Sequence, residues 1–128
     1  MIIAIDFDGT CVEHKYPEIG NELPGCVDTL KELVSMGHRL VLNTMRGRPK
    51  KEGDRDTLQE ALDWFQERGI ILSGFNISPG QWNWTTSPKV YANLYIDDAG
   101  LGCPKDQNGQ VDWAEIRKML GLKKIKSD

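Results

Sequence analysis

Ile2-Ile3-Ala4-Ile5-Asp6-Phe7-Asp8-Gly9-Thr10, residues 2–10, sets four apolar residues directly against two carboxylates one residue apart. The apolar run is short and mostly β-branched. It reads as a strand buried on both faces, as in a parallel sheet, so Asp6 to Thr10 form the loop that leaves it. Outward from this stretch, a helix starts near Pro24, carries Val27, Leu30, Leu33 and Val34 as its apolar stripe, and stops at Gly37. Residues 39–43 (RLVLN) form a second buried strand, and residues 44–53 a polar loop. A second helix begins near Asp54 or Asp56, where Asp56 and Gln59 have capping-box spacing. Leu58, Leu62 and Phe65 give its buried face and Gly69 its stop. Ile70-Ile71-Leu72 reads as a third strand, residues 76–88 as a loop with two prolines and two tryptophans, and residues 92–96 as a fourth strand ending at Asp97-Asp98. Asp112 and Glu115 open a last helix through Leu120.

Strands alternating with helices imply an α/β fold with a mainly parallel central sheet and right-handed crossovers. The 128 residues suit one domain, spanning residues 1–122, with 123–128 read as a frayed tail. Apolar residues make up 39% and charged residues 27%, which argues against disorder. No apolar run approaches the roughly 20 residues of a membrane span. Met1 to Ile5 is cut off by Asp6 and lacks a basic lead-in, so it is not read as a secretory signal. The net charge of −3 disfavours a protein that grips nucleic acid over its whole surface. Cys11, Cys26 and Cys103 are odd in number and lack CxxC spacing, which suits free thiols and a cytoplasmic location.

In parallel α/β sheets ligands bind beyond the carboxyl ends of the strands. Asp6 and Asp8 follow the first strand, Thr44 the second, and Asp97 and Asp98 the fourth. All five therefore fall on one edge. Gathered carboxylates repel one another, and a hard divalent cation relieves the conflict. An all-oxygen set suits Mg²⁺ with substrate phosphate oxygens, and disfavours zinc. A carboxylate beside Mg²⁺ can attack phosphorus. A second one nearby can protonate the leaving oxygen and later deprotonate water. Thr44 can donate to a phosphoryl oxygen, and Lys89, ahead of the fourth strand, can balance charge. Arg46, two residues past Thr44, with Arg48, Lys50 and Lys51 behind it, offers contacts to a second phosphate.

These residues carry a resemblance. Asp6-Phe7-Asp8-Gly9-Thr10 after an apolar strand resembles the first motif of the haloacid dehalogenase superfamily. Leu40-Val41-Leu42-Asn43-Thr44 is similar to its second motif, Lys89 to its third, and Leu94-Tyr95-Ile96-Asp97-Asp98 to its fourth. The resemblance implies a Rossmann-like three-layer sandwich and a Mg²⁺-dependent phosphatase. Asp6 would be nucleophile and metal ligand. Asp8 would be general acid/base and lend its backbone carbonyl to the metal. Thr44 and Lys89 would hold the phosphoryl group, Lys89 also pairing with Asp6. Asp97 would complete the metal shell, Asp98 acting on the metal directly or through water. Beside these, Gly9, Thr10 and Arg46 are read as substrate contacts.

The acid at position 8 marks the phosphatases and phosphomutases of the family, not its dehalogenases. Residues 11–23 are enough for a hairpin flap but not for a cap domain, so the chain resembles the capless subgroup. Such sites are open to a phosphorylated small molecule or a macromolecular substrate, with nucleic acid entering only as substrate. They also suit a homo-oligomer in which a neighbour closes the site. No membrane partner is expected. The alternative is a non-hydrolytic phospho-aspartate signalling or regulatory module. Receiver domains, however, carry the phosphorylated Asp after the third strand, where this chain has Ser73-Gly74-Phe75.

Overall fold

The computed structural model describes residues 1–126. Four strands, β1 (Ile2–Ile5), β2 (Arg39–Leu42), β3 (Gly74–Phe75) and β4 (Leu94–Ile96), form one all-parallel sheet in the order β3-β2-β1-β4. Three helices, α1 (Cys26–Ser35), α2 (Thr57–Glu67) and α3 (Trp113–Met119), complete the regular structure. The central strand β1 pairs Ile5 with Leu42 on one side and with Ile96 on the other. This register sets the carboxyl ends of β1, β2 and β4 level, so residues 6, 43 and 97 leave the sheet side by side.

Helices α2 and α3 start where an aspartate side chain satisfies a free N–H group, whereas α1 starts after Gly25 without a side-chain cap. Asp56 accepts from the Gln59 N–H at 2.9 Å, and Asp112 from the Glu115 N–H at 3.0 Å. The Gln59 side chain turns to Arg48 and Asp63, so the box at α2 is half closed. All three helices pack on one face of the sheet. Ile3, Ile5, Leu40, Leu42 and Ile96 meet Leu30 and Leu33 of α1, Ala61 and Phe65 of α2, and Trp113 and Ile116 of α3 in a single buried cluster. Phe7, Trp64 and Phe65 add edge-to-face and tilted ring pairs with centroids 5.0–5.6 Å apart.

The opposite face is covered by an irregular segment, in keeping with the loop read over residues 76–88. Ala4 and Val41 are covered there by Val90, with Ala92 beside it, from the segment joining β3 to β4. Pro79, Gly80, Pro88 and the β-branched Thr85-Thr86 give that segment poor helix propensity, and it contains a single 3-10 turn, Gln81–Asn83. Gln81 staples this strap. Its buried amide accepts the N–H groups of Ser78 and Tyr91 at 3.0 and 2.9 Å and donates to the Lys89 carbonyl at 2.6 Å.

The third strand also lies elsewhere than expected. Ile70-Ile71-Leu72 is a run-in, with Ile70 plugging the core and Ile71 69% exposed. Pairing to β2 comes only at Gly74–Phe75. Beyond α3, the Lys123 carbonyl accepts two hydrogen bonds from Arg117, which tie the start of the C-terminal segment to the helix. The rest of the tail reading, at Ser127 and Asp128, lies outside the described residues. Among the described residues the three cysteines are free, and no helix is long and apolar enough to cross a membrane.

Candidate active site

The loop after β1 carries the first part of the site. The Phe7 carbonyl accepts from the Thr10 and Cys11 N–H groups, which folds residues 7–11 into a tight turn. Gly9 sits at φ +84, and a Cβ there would lie 2.6 Å from Asp98 Oδ2. Glycine is therefore needed twice, for the left-handed backbone and for the approach of β4's acidic pair. The Thr10 hydroxyl is fully buried. It donates to Asp6 Oδ2 at 2.7 Å and accepts from the Asp98 N–H at 2.9 Å, lacing the two loops together. The buried Trp113 indole donates to the Thr10 carbonyl at 2.8 Å. Gly9 gives its own N–H to the Val12 carbonyl. Both residues were expected to contact substrate; in the structure they brace the acidic residues instead.

Asp6, Asp97 and Asp98 meet, with one carboxylate oxygen from each lying within 4.8 Å of the others. The three can hold a metal ion. Burial pushes the Asp6 carboxyl up to about 7; the hydrogen bond from Thr10 opposes this, while contact with Asp98 and the charges of Asp97 and Asp98 reinforce it. Asp97 is further fixed by the Ala99 N–H at 2.9 Å.

Asp8 turns away from this cluster to Arg46. Arg46 Nε lies 2.8 Å from Asp8 Oδ2 and Nη2 lies 2.9 Å from Oδ1, a two-pronged ion pair. Arg46 was expected to face substrate. It is 1% exposed, and its remaining bonds run to the Thr57 and Glu18 carbonyls. Thr44, at the exit of β2, accepts the Arg46 N–H on its hydroxyl oxygen at 3.1 Å, which leaves the hydroxyl proton to donate. Its own N–H goes to the Asn76 side chain at 2.9 Å.

One open cleft of about 540 Å³ contains Asp6, Asp8, Thr44, Arg46, Asp97 and Asp98, walled by His14, Tyr16 and Met45. His14 and Tyr16 come from the expected flap, closed at its base by the Val12–Glu22 bridge and by the Glu13 N–H on the Asn21 carbonyl.

Lys89 is not brought to the cluster. Its backbone is pinned by Gln81, and its exposed ammonium lies 5.9 Å from the Tyr95 ring centroid. No ion pair joins it to Asp6 among the described residues. The irregular strap ahead of β4 sets it there. Arg48 is engaged with Asp56 and Gln59 at the start of α2. Trp82 and Trp84 lie on the strap, outside the cleft. Sequence reasoning missed Tyr16, Met45 and Asn76. Only Asn76 carried a signal: it sits at φ 54 directly after β3, a conformation asparagine tolerates better than most residues.

No protein-family model and no curated protein matches the chain. Among solved structures it is similar to a conserved protein from Bacteroides thetaiotaomicron. The two are 38% identical with a TM-score of 0.74, over 94% of this chain and 89% of that one.

Proposed function

The chain belongs to the family of that conserved Bacteroides thetaiotaomicron protein, and we propose that it is a Mg²⁺-dependent phosphomonoester hydrolase of the haloacid dehalogenase type. The observation that carries this reading is the meeting of Asp6, Asp97 and Asp98 within 4.8 Å, in one cleft with Asp8 and Thr44. The crowded carboxylates fit a hard cation, and an oxygen-only donor set favours Mg²⁺ over softer ions. Bound by these three aspartates, the cation would neutralise phosphate charge and keep Asp6 ionised.

The chain's own residues then supply the chemistry. Asp6 attacks phosphorus in line with the leaving oxygen and becomes an aspartyl-phosphate. Asp8 delivers a proton to the departing oxygen, then takes one from the water that hydrolyses the acyl-phosphate and restores Asp6. The Thr44 hydroxyl donates to a phosphoryl oxygen. The cleft has only a short flap beside it, which suits substrates from phosphorylated small molecules to phosphorylated ends of macromolecules.

Incubation of the purified protein with an aryl phosphate tests the reading. Turnover is expected with Mg²⁺, to be lost in EDTA, and to fall by about 10³-fold or more in a folded Asp6→Asn variant. A panel of nucleotides, sugar phosphates, phosphopeptides and 3′-phosphorylated oligonucleotides then finds the substrate. Full turnover by Asp6→Asn, or a stable phosphoprotein with no turnover on the panel, overturns the reading; the second result favours a signalling module.

A further inference from the structure

Arg46 is a cation at the candidate site with almost nothing left to offer a ligand. Its side chain is fully buried, and its guanidinium has five N–H groups. Nε and Nη2 grip the two oxygens of Asp8, Nη2 also reaches the Glu18 carbonyl at 3.0 Å, and Nη1 reaches the Thr57 carbonyl at 3.1 Å. Four of the five donors are thereby committed. Two aromatic rings pack against the guanidinium as well, those of Phe7 and Tyr16 each centred 5.2 Å from Cζ. The contacts come from three separate parts of the chain: the loop after β1, the flap and the start of α2.

We propose that Arg46 is a positioning residue: it fixes the plane of the Asp8 carboxyl for proton transfer and couples that plane to the flap through Glu18 and Tyr16. The catalytic half of this statement rests on the hydrolase reading; the clamp itself does not. A carboxylate on a turn rotates freely unless both oxygens are held. A planar fork does this while leaving each oxygen a second lone pair for the cleft, whereas a lysine is a point charge that fixes no plane. Proton transfer needs donor and acceptor within about 2.6–3.2 Å, so a loosened Asp8 loses efficiency even with its charge intact.

The readout is dependence on the leaving group. An aryl phosphate departs with little help from an acid; an alkyl phosphate needs the proton. Arg46→Lys is expected to lower kcat on the alkyl phosphate by about 10²-fold or more and on the aryl phosphate by less than about 10-fold, with both KM values within about threefold of wild type. Equal losses on both substrates, or a raised KM with kcat retained, would mean that Arg46 contacts phosphate or merely supports folding, and overturn the proposal. Should Arg46→Lys fail to fold, Tyr16→Leu removes only a half-exposed ring face and is expected to show the same bias at smaller size; equal losses there overturn it too. A second arm needs no activity. In ¹⁵N NMR the Arg46 Nε–H is expected to exchange slowly, to lose that protection in Asp8→Asn, and to stay in place when inorganic phosphate and Mg²⁺ are added. A resonance that ignores Asp8→Asn and moves with phosphate overturns the clamp. If the wild type hydrolyses neither ester, the hydrolase reading fails by itself, and the NMR arm still decides the clamp.

Discussion

Asp6 concentrates the electrostatic conflict of the site. Its carboxyl, ordinarily near 3.8, is pushed up to about 7 by burial and by its acidic neighbours. The folded state thus holds a proton that the unfolded state releases. The stabilisation tied to that proton is complete below about pH 4 and is lost as pH rises through about 7. In EDTA, Asp6→Asn is accordingly expected to match the wild type near pH 4.5 and to exceed it by about 1–2 kcal/mol at pH 8, measured by denaturant titration. A wild type that stays level across this range would show that burial and the neighbouring acids do not hold a proton on Asp6. A divalent cation held by this cluster would compete with the same proton, so on the proposed reading the thermal midpoint is expected to rise with Mg²⁺ more at pH 8 than at pH 5 in the wild type, and the rise to shrink strongly in Asp6→Asn. At this scale the sequence was legible where a side chain's place follows from a strand end, as for Asp6, Thr44, Asp97 and Asp98. It was not legible where the partner decides. Nothing in the spacing of Gly9, Thr10 and Arg46 reveals that Asp98, Asp6 and Asp8 already occupy them.

The elements differ in how openly their residues announce them. β1 and β2 were readable because an uninterrupted β-branched or leucine run must be buried on both faces. α2 and α3 were readable because Asp56 and Asp112 each carry the cap that a helix start demands. β3 was not, since Ile70 to Leu72 are apolar for different reasons, one filling the core and the next facing solvent. An edge strand of two residues is defined by its hydrogen bonds to β2, which composition does not encode. α3 also reaches the site: Trp113, its first residue, holds the Thr10 carbonyl. Asp112→Ala is expected to cost about 1 kcal/mol and lower the thermal midpoint by a few degrees, as read by calorimetry. A change within error would mean that packing alone sets where α3 begins.

As a whole the molecule is lopsided, with three helices on one side of the sheet and an irregular strap on the other. The strap buries little apolar surface and depends on Gln81 to satisfy its backbone. Gln81→Leu strands the Ser78 and Tyr91 N–H groups and is expected to cost about 1–3 kcal/mol, measured in urea, while leaving Mg²⁺ affinity within about threefold of wild type. An affinity that collapses with the strap would show that the far face supports the acidic cluster after all. The loop over residues 76–88 was legible from its prolines and glycine, but the pattern of strands does not say which face of the sheet such a segment covers. Another consequence lies in the pairing of β1 with β4. Neighbours in the sheet, they are separated by most of the chain, and the acidic pocket straddles the seam between them. Asp98 must leave the ribosome before Asp6 can meet both of its companions, so a product interrupted ahead of β4 lacks the gathered carboxylates altogether.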